Sequence, residues 1–315
     1  MANWIRSFSC LSTNRISSIS RLSTKRIHFF RAFSSTMQHF YLQKILLESS
    51  TNPKSTKGNK KWQTSYSRIA QTDALERSGL DMQKFDQGSI PVRRMLSEAY
   101  CGIEGIRVNA VDAMKEKVYA RILEHIQIKG YPSEASIGFR DLNVNDLVLY
   151  ILGPIMFDFQ KETGREIKLR REIELVSSDS PTGGFEEFVI VDTISTTETS
   201  FILIIESKQT TLGHGIRQCL LAMYDMFSHN GGGKAYGFVT TGELWRMIRY
   251  DGTKFQMTEI FHCLFGEIGQ QKSRWMEEYS VVVECILVAL HSGGILKGEG
   301  GGESGGERGS ERGSE

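Results

Sequence analysis

The run Phe201-Ile202-Leu203-Ile204-Ile205-Glu206-Ser207-Lys208 is five apolar residues followed at once by a carboxylate and, two residues later, an ammonium. Such a run, with a Ser/Thr-rich turn region before it, predicts a buried strand. On a strand Glu206 and Lys208 share a face with Ile202 and Ile204, so two charges close an apolar surface and call for a reason. Upstream, Glu187 to Val191 reads as a second strand, joined to the first through the Ser/Thr-rich run 193–200. With a turn centred between Thr196 and Thr197, Glu187 falls opposite Glu206, their Cβ atoms about 5 Å apart. Two carboxylates at that spacing can share a divalent ion. Asp192 would then pair with Phe201, about 16 Å along the strand from Glu206, and reads as a turn residue.

The flanking chain supplies the rest of a mixed α/β pattern. Before the two strands, Ile167, Leu169, Arg171, Ile173 and Leu175 alternate with Lys168, Arg170, Glu172 and Glu174, the period-two signature of a strand with one solvated face. Further upstream, Val108, Val111, Met114, Val118, Ile122 and Ile126 recur at helical spacing within 106–129, and Gly130-Tyr131-Pro132 ends that helix. His125 beside this stripe reads as a packed or surface histidine. A second helix begins near Asp141 and Asn143, both good caps, and runs toward Lys161, with Gly153-Pro154 placed to kink or divide it. Downstream, a helix over about 215–227 is followed by the turn Gly231-Gly232-Gly233. Strands near 235–239, 244–249 and 255–260 come next, and then a terminal helix with Trp275, Tyr279, Val282, Val283, Ile286, Leu287 and Leu290 on its apolar face.

Composition limits the functions open to the chain. Its 315 residues are 40% hydrophobic and 24% charged, enough for a sizeable core. A formal charge of +1 excludes a uniformly basic coat, so any nucleic-acid contact must be local. The longest apolar run, Val281 to Leu290, is ten residues with Glu284 inside it, too short to span a membrane. The five cysteines show neither CxxC spacing nor a Cys/His ligand pattern, which argues for a reducing compartment without a zinc site or disulfide framework. No GxxxxGK[ST], GxGxxG or GxSxG motif frames a strand-to-helix turn, so phosphate-loop and serine-hydrolase chemistry have no support. His214 reads as a loop histidine without a role, contact with phosphate or acid/base work being the alternative.

The ends differ from the body. Residues 1–36 hold six cations, nine serines and no acid, the composition of a mitochondrial transit peptide. Arg31-Ala32-Phe33-Ser34-Ser35 has the form of a matrix-protease site. Removing those six cations turns the formal +1 into −5. The alternatives are a basic arm and a nuclear or exported protein. Residues 37–104 read as a basic, largely flexible linker, in which Trp62 and Tyr66 beside lysines could grip a single strand. Residues 105–292 form the folded domain, and 293–315 a Gly/Glu/Ser/Arg tail that cannot fill a core.

Glu187…Glu206-Ser207-Lys208, in this succession of elements, resembles the PD-(D/E)XK nuclease superfamily. The following Gly215-Ile216-Arg217-Gln218-Cys219-Leu220-Leu221 looks like its next helix, and Gly237-Phe238-Val239-Thr240-Thr241-Gly242-Glu243-Leu244-Trp245 is similar to the next strand and turn of Crinkler-type proteins. The likeness covers about 141–261. It departs from the pattern in lacking the Pro-Asp pair, whose place is held by Glu186-Glu187. The resemblance implies a restriction-endonuclease-like α/β core, a central mixed sheet flanked by helices with an N-terminal helical extension. It also implies Mg²⁺- or Mn²⁺-dependent hydrolysis of nucleic acid, DNA first. Glu187 and Glu206 would be the metal ligands, Lys208 would orient water or stabilise charge, and Gln218 would position water or backbone, with a further acid from Asp141 or Asp146. A catalytically silent module that binds nucleic acid or protein is the alternative within the same fold.

Overall fold

The computed structural model describes residues 62–99, 108–132, 141–193, 199–208 and 212–293. The expected transit peptide and nearly all of the tail lie outside the described residues. A short strand β1 (Thr64–Ser65) and three helices, α1 (Gln71–Ser78), α2 (Met82–Gln87) and α3 (Val92–Ala99), precede two long helices, α4 (Val108–Lys129) and α5 (Asp141–Thr163). Three strands follow, β2 (Ile167–Val176), β3 (Thr182–Thr193) and β4 (Thr199–Ser207), then helix α6 (Leu212–His229). Strands β5 (Ala235–Thr240), β6 (Leu244–Tyr250), β7 (Phe255–Met257) and β8 (Phe261–His262) lead to α7 (Val281–Ser292).

All eight strands join one open, mixed sheet ordered β1-β3-β4-β5-β6-β7, with β2 paired to β3 and β8 to β6. The chain is therefore α/β with a central mixed sheet flanked by helices. β4 and β5 run parallel, which requires a crossover, and α6 supplies it. One face of α6 is apolar at helical spacing: Ile216, Cys219, Leu220, Met223 and Met226 pack on Val189, Val191, Ile204 and Val239 of the sheet. On the other side, Arg165 ties β2 to the end of α7 through the carbonyls of Leu290 and His291, and Tyr236 of β5 meets Ser292. Pro154 lies inside α5 and does not divide it; its neighbours Leu152, Ile155 and Met156 are fully buried, and their packing outweighs one missing backbone hydrogen bond. No helix among the described residues is long and apolar enough to cross a membrane.

The linker expectation fails for residues 62–99. Trp62 and Tyr66 are buried, as are Met95, Leu96 and Ala99 of α3. Trp62 stands edge-on to Phe185 and donates to Glu174 at 2.9 Å, so it grips the sheet and not a nucleic acid. The room for this is made by glycine: a Cβ on Gly183 would lie 2.4 Å from the Trp62 ring, and one on Gly184 would lie 2.6 Å from Tyr66. Arg77 of α1 then reaches Asp225 of α6 at 2.5 Å, where the Tyr66 hydroxyl also donates. Asp192 is likewise corrected from a turn to a strand residue, held by Arg165 at 2.6 Å.

Candidate functional site

The β3–β4 register runs Phe188↔Ile205, Val189↔Ile204 and Ile190↔Leu203, which carries Glu187 opposite Glu206 as expected, although the pairs beside the turn, Thr193↔Thr199 and Asp192↔Ser200, centre it on Thr196 and not between Thr196 and Thr197. A bulge at Ile190/Val191 shifts the far end by one, so Asp192 faces Ser200 and not Phe201. Glu206 is completely buried near the end of β4 and is ion-paired with Lys208, whose side chain is 26% exposed. Lys208 Nζ also stands 4.0 Å from Glu187 Oε1. The other Glu187 oxygen accepts from the Ser207 backbone N–H at 3.1 Å and from the Ser207 hydroxyl. That hydroxyl is buried between Glu187 and the side chain of Asn145 on α5. Gln218 of α6 is buried on the sheet side of its helix. The four residues singled out from sequence, Glu187, Glu206, Lys208 and Gln218, thus gather where the end of β4 meets the middle of β3 and the first half of α6.

A fifth residue is the centre of the cluster. Glu186 is fully buried, and neither of its carboxylate oxygens has a formed hydrogen bond. Burial pushes its carboxyl well above the usual range, the Glu206 charge pushes it further, and Lys208 partly offsets both. Gln218 reaches toward it and favours the charged form, without a well-shaped hydrogen bond. The cause of its inward turn is local. Glu172 on the partner strand adopts the left-handed region at φ 50°, and the β2–β3 ladder skips from Arg171↔Phe188 to Ile173↔Glu186. The bend breaks the alternation, so Glu186 and Glu187 both turn toward the end of β4. Strict period-two reading hides Glu186, yet two adjacent acids on a strand already guarantee that one faces inward.

Other candidates fall away from this cluster. Asp146 pairs with Lys129 at 3.4 Å, and the polar contact from α5 is Asn145. Asp141 opens α5, as a cap-type residue should stand near its start. His214 is exposed in the first turn of α6, not in a loop. His125 is buried edge-on to Tyr150, and burial holds its imidazole below the usual range, so it is a neutral packing residue. Cys219, next to Glu186 and Glu206, is a buried free thiol whose pKa burial raises first and those carboxylates raise further.

Gly215 sets how closely α6 approaches. A Cβ there would lie 2.6 Å from Val239 Cγ1, 3.2 Å from Lys208 Cγ and 3.5 Å from Glu206 Cγ. Gly215→Ala is expected to lose about 1–2 kcal/mol in urea unfolding, overpacking outweighing the helix-propensity gain. Gly213→Ala, with nothing within 4 Å of its Cβ, should be neutral or stabilising by comparison. Equal effects of the two would dismiss the close approach as a constraint.

Glu186 also predicts a pH dependence. Its carboxyl keeps its proton to higher pH in the native state than in the unfolded chain, so stability falls as pH rises from the ordinary glutamate range to the raised native pKa. Glu186→Gln removes that loss. The variant should exceed wild type by about 2 kcal/mol at neutral pH, and the difference should close near pH 4. Urea unfolding across that pH range is the check, and a constant difference would contradict it.

The donor chemistry of Glu186, Glu187 and Glu206 suits a hard divalent cation such as Mg²⁺ or Mn²⁺. The buried, unbonded oxygens of Glu186 fit a partner that is not protein. Among the described residues, no three Asp, Glu, His or Cys side chains converge as a ready-made ligand set. Comparison with protein-family models and with curated proteins gave no match.

Proposed function

We propose that this domain is a metal-dependent phosphodiesterase of nucleic acid, with a restriction-endonuclease-like core of the PD-(D/E)XK kind. The observation that supports the reading most is the buried Glu186–Glu206 pair at the end of an apolar strand, with Lys208 beside it and Gln218 facing it from the next helix. Glu206 and Glu187, with Glu186 added to the set read from sequence, would hold the ion. A bound Mg²⁺ or Mn²⁺ supplies Lewis acidity toward a phosphate oxygen and lowers the pKa of a coordinated water. Lys208 offers its ammonium to the attacking water or to the charge that builds on phosphate. Gln218, facing the cluster from α6, would position water or backbone, and Ser207 with Asn145 fixes one oxygen of Glu187. DNA in the mitochondrial matrix is the substrate and place that the resemblance and the N-terminal composition favour.

A second reading has its own observation. Lys208 is already committed to Glu206, and Ser207 occupies one oxygen of Glu187, an arrangement that also suits a silent binding module. One experiment separates the two. Full-length protein is incubated with plasmid, linear duplex, single-stranded DNA and RNA, in Mg²⁺, in Mn²⁺ and with chelator. Metal-dependent cleavage that the chelator abolishes carries the first reading, and binding without cleavage in either metal carries the second.

A further inference from the structure

Arg246 of β6 stands in one row with the carboxylate cluster. Glu206 pairs with Val239 and Val239 with Arg246, so the three share the sheet face that α6 covers, and two strand spacings put the ends of the row about 10 Å apart. Beside Arg246 lies a cleft of about 330 Å³, walled by Leu212, Gly213 and Ile216 of α6, Met257 of β7 and Ile260. Gly215, where a Cβ would meet Val239, Lys208 and Glu206, falls between Leu212 and Ile216, so one helical turn borders both the cleft and the cluster. Asp86 of α2 completes the lining and pairs with Arg246 Nη1 at 2.5 Å, its side chain 61% exposed against 12% for the arginine. Nη1 also meets Met257 Sδ at 3.4 Å, whereas Nε is buried without a partner and, among the described residues, Nη2 has none. The protein thus engages one of the three guanidinium nitrogens.

The lining selects among ligands. A phosphate site presents cations with no acid against them, but here the guanidinium is faced by a carboxylate and most of the wall is hydrocarbon. A nucleobase fits both features: Leu212, Ile216, Met257 and Ile260 cover its flat faces, while Arg246 donates and Asp86 accepts along its edge. The volume lies at the lower end of small-molecule sites, about 300–1,000 Å³, and suits a single ring system. We infer that this cleft takes one unpaired base of the strand whose phosphate lies at the Glu186–Glu187–Glu206 cluster, so that single-stranded or frayed nucleic acid is the preferred substrate. The inference rests on the proposed phosphodiesterase reading and names its substrate class. A base in a duplex must first be unpaired and unstacked to enter, a cost that a single strand largely escapes.

The test is binding by full-length protein of three fluorescently labelled DNA probes of equal length, with Ca²⁺ in place of Mg²⁺, over a series of salt concentrations. The probes are a single strand, a strand of abasic sites and a blunt duplex. Wild type is expected to bind the single strand about 10-fold more tightly than either of the others. Arg246→Gln should weaken single-strand binding about 10-fold, erase the preference over the abasic strand and leave the salt slope unchanged, because the lost contact is to a base. Ile260→Ser, at a position 45% exposed and so tolerant of the change, should reduce the same preference about 3- to 10-fold, and it decides if Arg246→Gln fails to fold. Equal binding of the three probes by wild type, or a preference kept in full by the deciding variant, overturns the inference and leaves the phosphodiesterase reading in place. A salt slope lowered by about one in Arg246→Gln, with the base preference intact, marks a phosphate contact and overturns it as well. Folded wild type that binds none of the probes overturns both.

Discussion

Protein carrying Lys208→Arg is expected to cleave about 100- to 1,000-fold more slowly than wild type, the usual effect of losing one aligned electrostatic group, while melting within a few degrees of it. The choice of arginine follows from the packing. Glu206 is fully buried, so Lys208→Ala leaves a buried carboxylate without its ammonium and loses stability as well as rate. Arginine keeps the positive charge over Glu206 but exchanges a compact ammonium with three donors for a broad, permanently charged plane. If Lys208 acts on water or on the phosphate, that exchange fails and only the rate responds. If the pair merely closes a strand end, arginine restores both stability and whatever binding the domain has. Parallel measurement of cleavage rate and melting temperature for wild type, Lys208→Ala and Lys208→Arg distinguishes these cases, and full activity in Lys208→Arg would remove Lys208 from the mechanism.

The second large effect is expected far from that site. Asp225 of α6 is wholly buried and accepts from the Tyr66 hydroxyl and from Arg77, whose side chain is only 13% exposed. Burial pushes the Asp225 carboxyl up, while the Tyr66 hydrogen bond and the Arg77 charge hold it down. The same burial drives the Tyr66 phenol far above its ordinary range, so it remains a donor at any accessible pH. Asp225→Ala strands a buried hydroxyl and part of a guanidinium, and should cost about 3–5 kcal/mol. Asp179 also meets Arg77, at 2.9 Å, but its side chain is 49% exposed, and Asp179→Ala should cost less than about 1 kcal/mol. Urea unfolding of the two variants is the measurement; similar losses would mean that the buried acid is not what fastens residues 62–78 to α6.

How far the sequence reached depends on whether the information was local. The strand ending in Glu206-Ser207-Lys208 and its partner were legible because an apolar run after a Ser/Thr turn fixes the period, whereas the register Phe188↔Ile205 owes one residue to the bulge at Ile190/Val191, which no residue type there announces. The start of β3 was not, because Gly183 and Gly184 look like turn residues. They are strand residues whose missing side chains are replaced by Trp62 and Tyr66, more than a hundred positions away. The same long-range contact explains why a lysine-rich segment around Trp62 looked like a free arm. Glu186 escaped notice for a different reason: alternation assumes an unbroken pleat, and the bend at Glu172 is a backbone event that the type of residue there does not announce. Pro154 shows propensity overruled in the opposite direction, by the burial of its neighbours.

The fastening of Tyr66 to Asp225 spans 159 residues of chain. During synthesis the early partner leaves the ribosome first, and at about 5–20 residues per second it waits about 8–30 s for the later one. Over that interval the Tyr66 hydroxyl and Arg77 lack the acid that joins them to α6. The fastening of residues 62–78 to α6 is therefore among the late events of folding, completed only once α6 itself has been made.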